Sequence, residues 1–77
     1  MASAHPVDDA QRVIVDCLLD EYPAHLHESE LVAIVGDPAD TRDALLELRA
    51  AGLLHTNGDF YWPTRAAARY RRLFADV

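Results

Sequence analysis

The chain has 77 residues, 51% of them hydrophobic, with 13 acids against 7 basic side chains and a formal charge of −6. That length supports one small core and excludes two domains; the apolar fraction excludes a disordered chain, and no run approaches the roughly 18 to 20 uncharged apolar residues of a membrane span. The acidic balance argues against a generic nucleic-acid coat, whose affinity would rest on clustered cations, and a lone Cys17 with neither a cationic leader nor an apolar signal core over Met1 to Asp9 gives the expectation of a reducing cytoplasm.

Residues 1–7, with Pro6 and no periodicity, read as a disordered tail, and residues 8–77 as the domain. Asp8 is expected to cap a first helix with Gln11 reaching back. The helix should run to about Tyr22, because Pro23 pushes its predecessor out of the helical basin. On a 3.6-residue wheel Ala10, Val13, Ile14, Cys17 and Leu18 form one apolar face, and Val15, Leu19 and Tyr22 form a second stripe. Such a helix is either central and covered on both sides or open on one side as a dimer seam. Ala24 to His27 reads as a connector anchored by Leu26. Glu28 to Val35 reads as a short helix capped by His27, with Glu30 at its third position, Leu31, Ile34 and Val35 inward, and Gly36 as its stop. Asp37-Pro38-Ala39-Asp40 restarts a helix with an aspartate cap, a proline in the first turn and acid near the positive end. This third helix runs to about Ala51, Gly52 closes it, and Thr41, Ala44, Leu45 and Leu48 point inward.

Beyond Gly52 the hydrophobic period changes from 3.6 to 2. Leu53 to Thr56 and Asp59 to Trp62 flank Asn57-Gly58, a hairpin signal. With that turn, Thr56 faces Asp59, His55 faces Phe60, Leu54 faces Tyr61 and Leu53 faces Trp62. One side of the ribbon then carries Leu53, His55, Phe60 and Trp62, and the other Leu54, Thr56 and Tyr61. Hydrophobicity alone favours the first side as the inner one. Pro63 ends the ribbon, Thr64 caps a last helix, and Ala66, Tyr70 and Leu73 supply its inward stripe.

Charge is segregated along the chain. Residues 1–47 hold eleven acids and only Arg12 and Arg42, whereas residues 48–77 hold Arg49, Arg65, Arg69, Arg71 and Arg72 against Asp59 and Asp76. All seven basic residues are arginine, which suits bidentate contacts and fits a codon bias equally well. Arg65, Arg69 and Arg72 recur at i, i+4, i+7, either as a phosphate-facing stripe or as a solvated flank whose ion pairs are worth about 0 to 1 kcal/mol each.

The order helix, helix, tight turn, helix, hairpin and closing helix resembles the winged helix-turn-helix domain of MarR-like and ArsR-like bacterial regulators. The likeness is carried by Glu30-Leu31, Ala44-Leu45-Leu46-Glu47-Leu48, Ala51-Gly52-Leu53-Leu54, and Tyr61 followed by Thr64, and spans about residues 8–77. It implies a mainly α fold with three helices, a two-stranded wing whose Leu54 and Tyr61 side faces inward, and a C-terminal helix. The implied function is transcription regulation, the third helix entering the major groove of duplex DNA with the wing beside it. On that reading the contacts come from Thr41, Arg42, Arg49, Asn57, Arg65, Arg69 and Arg72, and a dimer is expected because two half-sites roughly double the buried surface.

The fold serves protein docking as well as DNA binding. The outermost residues of the third helix, Ala39, Asp43, Leu46 and Ala50, offer no Arg, Asn or Gln to a base edge. Phosphates would meet Asp37, Asp40 and Asp43, and the wing tip Asn57-Gly58-Asp59 carries no cation. The alternative is therefore a winged-helix protein-interaction or dimerisation module using Val15, Leu19, Tyr22, Leu46, Phe60 and Trp62.

Chemistry is not expected. His25-x-His27 lacks a convincing third ligand for a metal, and no glycine-rich phosphate loop, nucleophile elbow or Cys/His arrangement is present. So short a chain leaves little room for a substrate pocket beside its core. No enzyme activity, cofactor, small-molecule substrate or membrane association is expected.

Overall fold

A computed structural model describes residues 6–75, with side chains described for residues 9–71. It contains α1 (Pro6–Glu21), β1 (Leu26–His27), α2 (Glu28–Val35), α3 (Pro38–Ala50), β2 (Leu54–Asn57), β3 (Phe60–Pro63) and α4 (Arg65–Ala75). The expected mainly helical class with a hairpin is present, and the sheet has one strand more than expected. Leu26-His27, read from the sequence as connector, pairs antiparallel with β3, so the strand order is β1-β3-β2.

α1 begins at Pro6, ahead of the expected Asp8, because proline fits a first helical position whose amide needs no partner. Asp8 thus lies inside the helix and is not its cap, and of the expected tail residues 1–5 lie outside the described residues. α1 packs against α2, α3, α4 and β3. Both of its apolar stripes therefore meet neighbours: Ala10, Ile14, Val15 and Leu18 are buried, and Cys17 and Leu19 are half-buried. The central-helix reading holds, and Val13, expected inward, is exposed together with Tyr22.

Local caps set the ends of the helices. His27 Nδ1 accepts from the Ser29 amide at 3.1 Å, and Glu30 Oε1 accepts from the His27 amide at 2.8 Å, as expected for the start of α2. Gly36, at φ +95°, donates to the Val32 carbonyl at 2.7 Å and stops it. Leu31 is fully buried, whereas Ile34 is exposed: this two-turn helix buries only the narrow stripe that meets α1 and α3. Asp37 accepts from the Ala39 amide at 3.2 Å to open α3. Thr41, Ala44, Leu45 and Leu48 are all buried, as expected.

The exit of α3 is tied to the entry of α4. Gly52, at φ +79°, donates to the Arg49 carbonyl at 3.0 Å, and Leu53 donates to the Leu48 carbonyl at 2.9 Å, the paired bonds of a Schellman turn. The Thr64 hydroxyl donates to the Gly52 carbonyl at 2.8 Å and accepts from the Ala67 amide at 3.2 Å. Thr64 is thus the expected cap, and its side chain also fastens α4 to the α3 turn. This anchor phases α4 so that Ala67 is its buried residue; Ala66, expected inward, and Tyr70 are exposed, and the Leu73 side chain lies outside the described residues.

In the hairpin, Asn57 pairs with Phe60, His55 with Trp62 and Leu54 with Pro63. The turn is Gly58-Asp59, not Asn57-Gly58, and only Gly58 has positive φ, +68°. A glycine alone with positive φ at the first turn position suffices for this connection. Partners are therefore displaced by two residues from the expected register. Because side chains alternate with period two, both faces keep their expected members. Leu54 and Pro63 are buried and Tyr61 half-buried, while Phe60 is exposed, so the side rich in aromatic rings is the outer one.

Replacing Thr64 by valine removes both the cap and the tie to Gly52 and is expected to lower unfolding free energy by about 1 to 2 kcal/mol in urea melts, with serine retaining most of it. Gly52→Ala is expected to cost about 1 kcal/mol through its positive φ alone, since nothing lies within 4 Å of the added methyl.

Candidate functional site

The sheet presents two different faces. On the inner side, Thr56 and Tyr61 meet the outer flank of α3, where Arg42, Arg49, Leu45 and Leu46 complete a hollow of about 70 Å³ that Glu28 also lines. Leu46, in the middle of the outward surface of α3, is 61% exposed. Arg42 and Arg49 are exposed and make no ion pair among the described residues.

The outer side is a set of rings in two rows. Trp62 pairs with His55 across β2, and His25 stacks on it with centroids 4.2 Å apart and planes 13° apart; the His55 ring lies 5.8 Å away, tilted. Phe60 pairs with His27 across β1 and with Asn57 across β2, the imidazole meeting the phenyl edge-on at 5.1 Å. Ring pairs of this kind add about 0.5 to 1.5 kcal/mol beyond burial, so they hold the rings in place, His25 covering one face of the indole while Phe60 stays exposed. Beside Trp62, the end of α1 and the start of α4 wall a groove of about 410 Å³, with Leu19, Tyr22 and Ala68 as sides and Arg65 on its edge.

Asp59 fixes the open end of the ribbon. Its carbonyl accepts from the Glu28 amide at 2.8 Å, and its carboxylate lies 3.9 Å from His27 Nε2. His27 Nδ1 is occupied in capping α2, so one imidazole serves a helix cap, a strand pair and the turn together.

The residues expected to touch DNA do not form one surface. Thr41 is fully buried and its hydroxyl donates to the Asp37 carbonyl at 2.7 Å, which removes it as a contact. Arg42 and Arg49 share the inner hollow. Asn57 closes the outer row beside Phe60. Arg65 and Arg69 are exposed on α4, Arg65 bordering the outer groove, and the Arg72 side chain lies outside the described residues. Of the residues expected at a protein interface, Val15 is buried under α1's neighbours and is likewise removed. Leu19 and Trp62 are half-buried, and Tyr22, Leu46 and Phe60 are exposed.

Sequence reasoning placed His55 on the face of Phe60 and Trp62 and His27 at the cap of α2, and missed His25 and His27 as ring partners of Trp62 and Phe60. His55 was recoverable from strand alternation; His25 and His27 depend on the unforeseen β1. It also missed Arg71, which donates to Asp20 at 2.7 Å and pins α4 to the end of α1.

Electrostatics separate the two ends of the molecule. The charges of Asp37 foremost, and of Asp43, raise the Asp40 carboxyl above its ordinary value, so the N-terminal end of α3 is a site of negative potential. Burial, with the nearby charges of Asp20, Asp16 and Glu21, raises the Cys17 thiol, which keeps it protonated and a poor nucleophile. Among the described residues no group of three or more His, Cys, Asp or Glu side chains is placed to hold a metal ion, and no helix is long and apolar enough to cross a membrane. No protein-family model matches the chain, and neither the curated proteins nor the solved structures provide a match.

A raised carboxyl binds its proton more tightly in the folded state, so ionising Asp40 as pH rises through the carboxylate range lowers stability. Asp40→Asn is expected to raise the melting temperature at pH 7, with the gain vanishing at a pH below the unfolded carboxyl's value, where both proteins are neutral at this position. Melts at both pH values check it.

Proposed function

We propose that the chain is a winged-helix domain, β2 and β3 forming the wing, and that it works in the cytoplasm as a protein-interaction module rather than as an enzyme. What supports this reading is the division made by the ribbon. Arg42 and Arg49 border the hollow on its inner side and Arg65 the groove on its outer side, so the cations are not gathered for one duplex. The outer side instead offers Phe60, 47% exposed, and a half-buried Trp62 set among the rings of His25, His27 and His55, a composition suited to protein contact. The end of α3 that would enter a major groove is the most acidic part of the helix.

A second reading, duplex DNA binding by a dimeric transcription regulator, is favoured by one observation: Arg42 and Arg49 stand unpaired on the outward flank of α3 next to the wing. The two readings part in a titration with mixed-sequence duplex at about 50 mM salt, where phosphate contacts are strong. The interaction module is expected to bind no tighter than about 10⁻⁴ M, the weak end of non-specific association. Micromolar binding that falls steeply with salt and is lost in Arg42→Glu and Arg49→Glu would establish the DNA reading in its place. In the same preparation, acrylamide is expected to quench Trp62, the only tryptophan; an unquenchable, blue-shifted emission would remove the ring surface on which the module depends.

A further inference from the structure

We propose that the groove beside Trp62 receives a short acidic segment of a partner protein, a large apolar side chain lying against the indole and adjoining carboxylates meeting Arg65 and Arg69. This rests on the protein-interaction reading and names the partner's chemistry. At about 410 Å³ the groove is within the roughly 300 to 1,000 Å³ of sites that hold compact ligands. Leu19, Ala68 and the Trp62 ring give it apolar walls, and Tyr22 and His55 give it polar edges.

Charge complementarity selects the occupant. Among the described residues no acidic side chain lines this groove. Among the described residues Arg65, on its edge, has no hydrogen-bond or ion-pair partner, and neither has Arg69, exposed one turn further along α4. Arg71, by contrast, is taken by Asp20. Two other hollows among the described residues do not compete. The one at Val13, Ile34 and Val35 is rimmed by Asp9 and Asp40 and offers a carboxylate no cation. The one at Arg42 and Arg49 is about 70 Å³ and shares its lining with Glu28. An acidic segment thus meets Arg65 beside apolar walls at this groove, and Arg69 one turn away, the arrangement that gives steering and specificity.

Emission of Trp62, the only tryptophan, reports occupancy directly. The blocked peptide FDELDE is titrated against the full chain beside its neutral counterpart FNQLNQ and its basic counterpart FKKLKK. FDELDE is expected to shift the emission saturably, to bind at least about tenfold tighter than FNQLNQ, and to weaken at least about tenfold in Arg65→Glu. Arg42→Glu should leave it unchanged. Should Arg65→Glu melt abnormally, Arg65→Gln, which keeps the stem of the side chain, carries the test with the same expected direction. Absence of saturation by about 1 mM, equal affinity for the neutral peptide, or indifference to Arg65 overturns the proposal. So does a dimer in sedimentation that Arg65→Glu disperses, which would identify a second copy as occupant, and so does tighter binding of oligothymidylate than of FDELDE. Micromolar duplex binding would sink the interaction reading as a whole; failure of FDELDE without it sinks this proposal alone.

Discussion

β3 is bonded on both edges, and that double pairing fixes which side chains leave the protein. Strand alternation sends Phe60 and Trp62 outward and Tyr61 and Pro63 inward, and a slip of one residue would exchange them. Burying what remains exposed of Phe60 and of the half-buried Trp62 would be worth on the order of 1 to 3 kcal/mol by area. It would, however, expel Leu54, Tyr61 and Pro63 and break the bonds that clamp the strand at its two ends. At one end Thr64 donates to the carbonyls of Leu53 and Gly52; at the other Glu28 donates to the carbonyl of Asp59. With about 0.5 to 1.5 kcal/mol per bond, added to the lost burial on the inner side, the observed register wins. The exposed rings are thus a consequence of how the ribbon is fastened to the helices.

That fastening also explains why the rings are ordered though uncovered. Each imidazole that touches them is held by something else: His27 by the cap of α2 and by its pairing with Phe60, and His55 by its pairing with Trp62. His25, just before β1, continues the same row and stacks on the indole. A rigid aromatic surface loses little side-chain entropy when something docks on it, which is the property that favours aromatic anchors at interfaces.

Legibility in the sequence followed the range of the interactions. Caps were readable because they are set by a few adjacent residues: His27 with Glu30, Asp37 with Pro38, Gly52, and Thr64. The inward set of α3 was readable because its stripe is unambiguous. The hairpin's faces survived a wrong turn assignment, since a displacement of two residues preserves parity, and the likeness to winged helices chose the inner side where hydrophobicity alone chose the outer. What could not be read was long-range. A two-residue strand such as Leu26-His27 has no periodicity of its own and exists because β3 offers it an edge. The choice of Ala67 over Ala66 and the exposure of Val13 and Ile34 depend on the angles at which helices meet, which no local pattern encodes.

The acids of α3 bear on what its outer face can meet. Asp37 is needed as the cap, and an acid at Asp40 would ordinarily be welcomed by the positive end of the helix. Yet the charge of Asp37, with desolvation, a hydrogen bond to Asp37 and the charge of Asp43, raises Asp40's carboxyl. Asp43, further along the helix, caps nothing and deepens the negative potential. The N-terminal end of α3 thus sets acids beside Arg42, whereas the groove at Trp62 is edged by Arg65 and, among the described residues, lined by no acid. The sorting of charge along the chain thus becomes, in three dimensions, a sorting of surfaces by the sign of what each can bind.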